Sequence, residues 1–583
     1  MIINKKKGNM KKQAFLQTLV TTSLLASITP VSAIDIDNNG ITGSFDTTIS
    51  WGAAARIQSR DPALISRSNP IGGTAYSSNT DDGNVNYGKG LISNVLKATH
   101  DLDLEYKNFG VFLRGSYFYD FHNHDNDKLT KAAKDRIGSD ADILDAYISG
   151  SFDVGGKALD LRIGKQVVSW GESTFIQNSI NAINPIDVAK IRVPGAELRE
   201  ALLPVPMLFA SQELTENLSL EAFYLTSFEH TEIDPRGSYF STNDFASDGG
   251  QYVVVGFGAV PDTACPTVTC IPRAADRDAK DSGQYGLALR WFVPELNDTE
   301  FGFYAANYHS RVPLISANAV STIVAGPTPI PSSATYFVEY PEDIHLYGIS
   351  FNTEIQKYGL AVQGEYSHRS NVPLQVEDVE ILLSALCSPA SQLGACPNGL
   401  GGEISGYRRH EVGQLQFTTT KVFGSGNPFN ATQWVVLAEV GVTHVYDMPS
   451  KGVLRFEGPG TPQPANAAVA AAQDGGAGIP AQTDGFADAS SWGYRLVTRL
   501  DYNSVGNGIN LSPRLAFAHD VNGTSPGPGG NFIEGRKAIT LGLAATYLNQ
   551  WQADASFTTF FGGGAFNQIH DRDFVAVNVK YSF

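Results

Sequence analysis

The chain has 583 residues and a net charge of −17, from 42 Lys and Arg against 59 Asp and Glu, with 17% charged residues, 58 Gly, 32 Phe and 23 Tyr. The mean hydropathy is −0.13, and beyond the N-terminus no apolar run approaches the ~18 residues of a membrane-spanning helix. Aromatic and β-branched residues along the whole length exclude a disordered chain, and the acidic balance excludes nucleic acid as a partner, which calls for a basic face.

The first element reads as an export leader. Lys5, Lys6, Lys7, Lys11 and Lys12 form a basic head. Ala14 to Ile28 is mainly apolar around Leu16, Leu19, Val20, Leu24 and Leu25, and Val31-Ser32-Ala33 supplies small residues for a signal peptidase. Cleavage after Ala33 makes 1–33 the signal peptide and 34–583 the mature domain, and Met10 serves equally well as a start. The competing reading, a membrane anchor, is disfavoured by the shortness of the apolar stretch and by Pro30. Five lysines leave with the leader, so the basic count falls from 42 to 37 against 59 acids and the net charge from −17 to −22.

A period of two organises the mature chain. Phe45, Thr47, Ile49, Trp51, Ala53, Ala55 and Ile57 share one face, while Asp46, Thr48, Ser50 and Arg56 share the other. The same alternation recurs near 94–106, 111–121, 143–154, 158–168, 207–214, 217–228, 284–293, 299–310 and 343–353. It continues near 358–368, 407–422, 433–446, 492–502, 511–521, 536–548, 551–561 and 573–583. These are eighteen strands, sixteen if a weak pair merges, and Met207 to Leu214 is the weakest. All but the eight residues of Met207 to Leu214 are long enough to cross a bilayer at a tilt, which takes ~9–11 residues.

The connections alternate between short and long. Lys107 to Gly110, Gly155-Gly156, Thr215-Glu216, Pro294 to Asn297, Gln356-Lys357 and Asn549-Gln550 are short. Gln58–Leu91, His122–Asp140, Gly171–Pro206, Glu229–Ser282, Pro313–Glu342, Asn371–Ser405 and Asp447–Ser490 are long. The expectation is an all-β transmembrane antiparallel β-barrel, with short periplasmic turns and long extracellular loops, closed so that no strand edge meets lipid. At the C-terminus Val575, Val577, Val579, Tyr581 and Phe583 alternate with polar or small residues, and the chain stops on the Phe. Such an ending is the signal read by the barrel-assembly machinery, which is the expected partner during biogenesis. Lipid and lipopolysaccharide of the outer membrane of a Gram-negative bacterium are the expected surroundings.

Few motifs suggest chemistry. Cys265 with Cys270, and Cys387 with Cys396, fall in single loops and read as disulfides of an oxidising compartment; zinc is the alternative, without CxxC spacing or a histidine cluster. Asp35 to Gly40 opens like a calcium-binding EF-hand loop but has no preceding helix, and reads as a polar N-terminus. His122-Asn123-His124-Asp125-Asn126-Asp127 could take a divalent cation, although acidic outer loops commonly just face water. Gly475 to Gly478 lacks the strand–turn–helix setting of a phosphate cradle. His100, His444 and His519 fall on lipid faces and no Ser–His–acid grouping stands out. Hence no enzymatic activity, cofactor, catalytic residue or metal ligand is assigned.

The polar strand faces carry Lys97, Asp101, Asp103, Glu105, Arg114, Asp120, Asp145, Asp160, Arg162, Arg495, Arg499, Asp501, Arg514 and Asp520. Charge facing lipid costs a few kcal/mol at mid-depth, so these residues face the lumen. Most read as a hydrated, cross-paired wall. Arg162, Arg495, Arg499 and Arg514 are the candidates for a basic track, with Asp103 and Glu105 among the lumen-lining acids. Ser169 to Met207 is a loop too rich in apolar groups for water: Phe175, Ile176, Ile180, Ile183, Ile186, Val188, Ile191 and Val193. The expectation is that it folds into the lumen as a constriction, with Asp187, Lys190, Arg192, Glu197, Arg199 and Glu200 facing the pathway. The alternative is a cap packed on other loops.

ISWGAAARIQSRDPALI (Ile49 to Ile65), DDGNVNYGKGLISN (Asp81 to Asn94), the Ser169–Met207 segment and GSYFSTNDFA (Gly237 to Ala246) resemble the bacterial outer-membrane family known as domain of unknown function 1302. The resemblance spans the mature chain and is specific in the first 250 residues. It implies an outer-membrane barrel associated with steroids and other hydrophobic compounds, with a periplasmic or inner-membrane transport partner. The resulting expectation is a channel or transporter for hydrophobic or amphipathic small molecules, steroid- or lipid-like. The alternatives are a general diffusion porin and, more weakly, a structural or adhesion barrel.

Overall fold

The computed structural model describes residues 34–324 and 328–583, so the leader and its cleavage site lie outside the described residues. The wall is made of β1 (Ile41–Arg56), β2 (Gly90–Tyr106), β3 (Phe109–Asp120), β4 (Ser139–Asp153), β5 (Ala158–Gln166), β6 (Val205–Thr215), β7 (Leu218–Leu225), β8 (Tyr285–Val293) and β9 (Thr299–Tyr308). The second half is β10 (Ile344–Ile355), β11 (Leu360–Gln375), β12 (Tyr407–Phe423), β13 (Gln433–Val445), β14 (Ser490–Gly506), β15 (Ile509–Asn522), β16 (Lys537–Tyr547), β17 (Trp551–Phe561) and β18 (Phe574–Ser582). Each pairs antiparallel with its sequence neighbours, and β18 pairs with β1, Thr48 opposite Ser582 and Arg56 opposite Phe574. The ring therefore has eighteen strands and no free edge. The terminal Phe583 exchanges backbone hydrogen bonds of 2.7 and 2.9 Å with Thr47.

Alternation explains which face is which. Ile143, Ile163, Ile349, Phe417, Leu541 and Val577 are exposed on the outside of the wall, while inward neighbours such as Glu365, Gln416 and Glu439 are buried. A continuous apolar outer face belongs in lipid, and Tyr106, Phe109, Phe152, Trp291, Tyr547 and Trp551 collect near the short-turn rim as an aromatic girdle. The segment that opens like a calcium loop, Ile34–Asn38, is instead a strand that folds onto β1 through an Asn39-Gly40 turn. Both turn residues have positive φ, 52° and 82°, which Asn and Gly accept at low cost.

Several strands outrun the bilayer. β2, β12 and β14 have 17 residues each, against the ~9–11 needed to cross, so the outer part of the wall rises to meet the long loops. Those loops have a core of their own. Leu314–Asn318 pairs with Thr335–Glu339 and Glu403–Ile404 in a small sheet, and helix α1 (Asp378–Ala385) packs Ile381 and Ala385 near Phe456 and Val376. Both predicted cysteine pairs, Cys265–Cys270 and Cys387–Cys396, are joined.

Candidate functional site

The loop 167–204 leaves β5 at Gln166, crosses the bore, and returns at Val205. Its first lobe docks on β11 and β13. The Glu439 carboxylate, 1% exposed, accepts the N–H groups of Thr174, Phe175 and Ile176 at 2.9, 2.8 and 2.9 Å. Glu365 accepts those of Glu172 and Ile180. An irregular segment inside a barrel has no ladder to satisfy its backbone, and these two carboxylates supply the missing acceptors with charge-assisted bonds. Apolar side chains complete the docking. Trp170 is 1% exposed, stacks near Phe223 and Tyr304 with centroids at 5.0 and 5.9 Å, and donates Nε1–H to Glu221 at 2.7 Å. Ile180 and Ile183 join it against Met207, Phe209, Leu225 and Leu346 of the inner wall.

The second lobe reaches the opposite side of the ring, β18 and β1 to β4. Glu200 binds Lys97 at 2.5 Å and accepts from Thr99 at 3.1 Å. Arg199 pairs with Asp101 and Glu197, Glu197 with Lys580, and Lys190 with Asp142. Asp187 caps the turn Val188–Ile191 and meets Arg136 at 3.1 Å, and Arg192 meets Asp234 at 2.7 Å. Pro194 presses on Gly52 of β1, where a Cβ would stand 2.8 Å from the proline ring, so that strand position needs glycine. Asp187, Lys190, Arg192, Glu197 and Arg199, expected from the sequence to face the pathway, point instead at carboxylates and cations of the wall and outer loops. Phe175, Ile191 and Leu198 are the exposed large apolar residues of the loop, beside exposed Ser169, Thr174, Gln177 and Asn181.

The four candidate arginines do not form one track. Arg495, Arg499 and Arg514 lie on adjacent strands, with Arg499 directly opposite Arg514, but each has an acid: Asp520 at 2.8 Å, Asp501 at 3.0 Å, and Asp554. Arg162 stands on β5, half the ring away, over the Phe209 ring at 4.3 Å. Asp103 and Glu105 are exposed toward the short-turn end of β2. His122 to His124 wind into a short helical turn whose first N–H groups are accepted by Asp120.

A cavity of about 520 Å³ lies among the outer loops, with Val188 and Arg192 of the lumen loop in its lining. That is within the ~300–1,000 Å³ of ligand pockets. Phe245, Phe257, Ile271, Tyr336, Val379 and Ile381 make it largely apolar. Its charged lining is sparse: Arg192 with Asp234, Arg536, and the carboxyls of Asp378 and Glu457. Glu377, Asp378 and Glu457 place carboxylate oxygens within 4.8 Å of one another. Burial pushes Asp378 up to about 6, and burial with mutual repulsion holds Glu377 and Glu457 well above the usual range. This cavity is not legible in the sequence, because its lining comes from seven connections between strands and from the lumen loop.

Solved structures that align along most of the chain include three Occ proteins. Pseudomonas aeruginosa OccK2 (OpdF), in complex with glucuronate, aligns over 93% of this chain and 98% of its own at 9% identity and a TM-score of 0.38. Acinetobacter baumannii OccAB1 aligns over 92% and 95% at 9% identity and a TM-score of 0.41. OccAB3 of the same organism aligns over 92% and 98% at 12% identity and 0.37. No curated protein matches the sequence. The family model described as "Protein of unknown function (DUF1302)" matches residues 14–583, and the chain belongs to that family.

Proposed function

We propose that this barrel is an outer-membrane channel for amphipathic small molecules with a large apolar part, steroid- or lipid-like in character. The observation that carries the reading is the largely apolar cavity of about 520 Å³ bounded on one side by a loop that spans the bore. A water-filled diffusion pore has no use for such a chamber. Here an apolar solute leaves water in the chamber, at roughly 25 cal/mol per Å² of apolar surface buried, while a polar group finds Arg192, Arg536 or the carboxyl pair Asp378 and Glu457. Onward passage follows displacement of the lumen loop, whose exposed Phe175, Ile191 and Leu198 offer apolar contact. Binding must stay weak enough to let the solute leave.

The test is binding of a lipophilic fluorescent probe to the purified barrel, with Ile381→Arg and Val379→Glu as variants that put charge into the chamber. The reading predicts saturable binding by the native protein and at least a tenfold loss in both variants. Equal binding by all three, or none by the native protein, contradicts it, and ready passage of small hydrophilic solutes favours a general diffusion porin.

A further inference from the structure

A second acidic cluster lies away from the apolar chamber's charged end, where the loop 57–89 meets the loop 226–284. Asp81 and Asp244 are 2% and 3% exposed, Asp82 is half-buried, and carboxylate oxygens of the three lie within 4.8 Å of one another. Asp81 spends one oxygen on the Ser66 N–H at 2.8 Å. Arg236 donates to Asp82 at 2.6 Å and to the nearby Asp262 at 3.0 Å. One guanidinium thus faces four carboxylates. Asp244 is different: its Oδ2 accepts the Asp82 N–H at 3.2 Å, but its Oδ1 is buried with no hydrogen-bond donor. A buried carboxylate oxygen without a donor is uncompensated unless a cation meets it.

We propose that Asp81, Asp82 and Asp244 bind a calcium ion that clamps these two outer loops together. The chemistry selects the metal. All three ligands are hard oxygens, which calcium takes at about 2.3–2.6 Å in a flexible shell of roughly six to eight. Magnesium demands a tighter octahedron of roughly 2.1 Å and keeps most of its water. A divalent ion offsets most of the excess negative charge and gives Asp244 Oδ1 its partner. The clamp acts on the chamber, because Asn79 and Thr80 precede the first two ligands, Asn243 and Phe245 flank the third, and all four line it. The Glu377, Asp378 and Glu457 cluster is satisfied otherwise: Glu377 accepts from Val379 and Glu380, and Glu457 from Asp378. It carries no such assignment.

The experiment is equilibrium binding of calcium to the folded, chelator-stripped full-length barrel in detergent, with Asp244→Asn and Glu457→Gln. Folding of each is checked by heat-modifiable mobility. The native protein and Glu457→Gln are expected to hold one calcium per chain, and Asp244→Asn to lose it. A native barrel that binds none, or an Asp244→Asn protein that binds as well, overturns the proposal. Hydrogen exchange of the native protein decides independently of any variant: calcium is expected to slow exchange around 79–86 and 237–246. Protection confined to 376–386, or to neither region, overturns it as well.

Discussion

The inner wall presents two surfaces to one loop. On β6 to β10 the inward residues that pack the loop are mostly apolar, Met207, Phe209, Leu225, Ala288, Tyr304 and Leu346, and they receive Trp170, Ile180 and Ile183, with Glu221 accepting the Trp170 N–H. On β1 to β4 and β18 they are charged, Lys97, Asp101, Asp142 and Lys580, and they receive Glu200, Arg199, Lys190 and Glu197. The apolar side holds the loop by burial, which is insensitive to salt. The ionic side holds it by pairs that are rewarding only while both members remain. A loop held mainly by packing at one end and by ion pairs at the other is expected to loosen first on the ionic side when one member of a pair is removed.

The two surfaces can be separated experimentally. Trp170→Ala removes the largest buried side chain of the apolar side and is expected to cost about 3–5 kcal/mol, read as a lower unfolding midpoint of the barrel with no added salt dependence. Glu200→Ala leaves Lys97 buried and unpaired, a loss of up to about 3–5 kcal/mol, and should speed proteolysis of 186–201 while leaving 171–181 protected. If both segments become sensitive together, the two lobes are one unit and the comparison fails. Glu439→Gln keeps the shape but weakens three charge-assisted acceptances, about 1–3 kcal/mol, and should loosen the first lobe without touching Lys97 and Glu200.

The smallest expected effect is a dependence on pH at the chamber. The carboxyls of Glu377, Asp378 and Glu457 have folded-state values above the ordinary 4.5 and 3.8. Raised values mean that the folded loop binds protons more tightly than the unfolded one. The stabilisation is therefore full below about pH 4 and is lost as pH rises through about 6 and beyond. Exchange at the amides of α1, corrected for intrinsic rates, should quicken between about pH 5 and pH 8, and Glu457→Gln should flatten the trend. A flat profile in the native protein would show that these acids stay solvated.

The barrel is legible in the sequence because lipid enforces strict alternation, down to the Phe583 ending. Strand β6 reads as weak for a physical reason: Leu208 faces lipid while Met207 and Phe209 face the loop, so both faces are apolar and the period of two fades. The destination of Ser169–Met207 is legible in its surplus of Ile and Val, but the direction of its charges is not, since their partners lie on distant strands. The same holds for Asp82 and Asp244, which are 162 residues apart. Helix α1 does carry a local signal: Glu377 caps it, and Val379, Leu382, Leu383 and Leu386 come at helical spacing.

We propose that the loop 167–204 obstructs the bore until its docking is loosened. Single-channel conductance in a planar bilayer tests it most directly, comparing the native barrel with a Glu365→Gln, Glu439→Gln double variant. The account predicts a native protein that is nearly silent and a variant with frequent, stable open steps. Large open steps of equal size and frequency in both would contradict it.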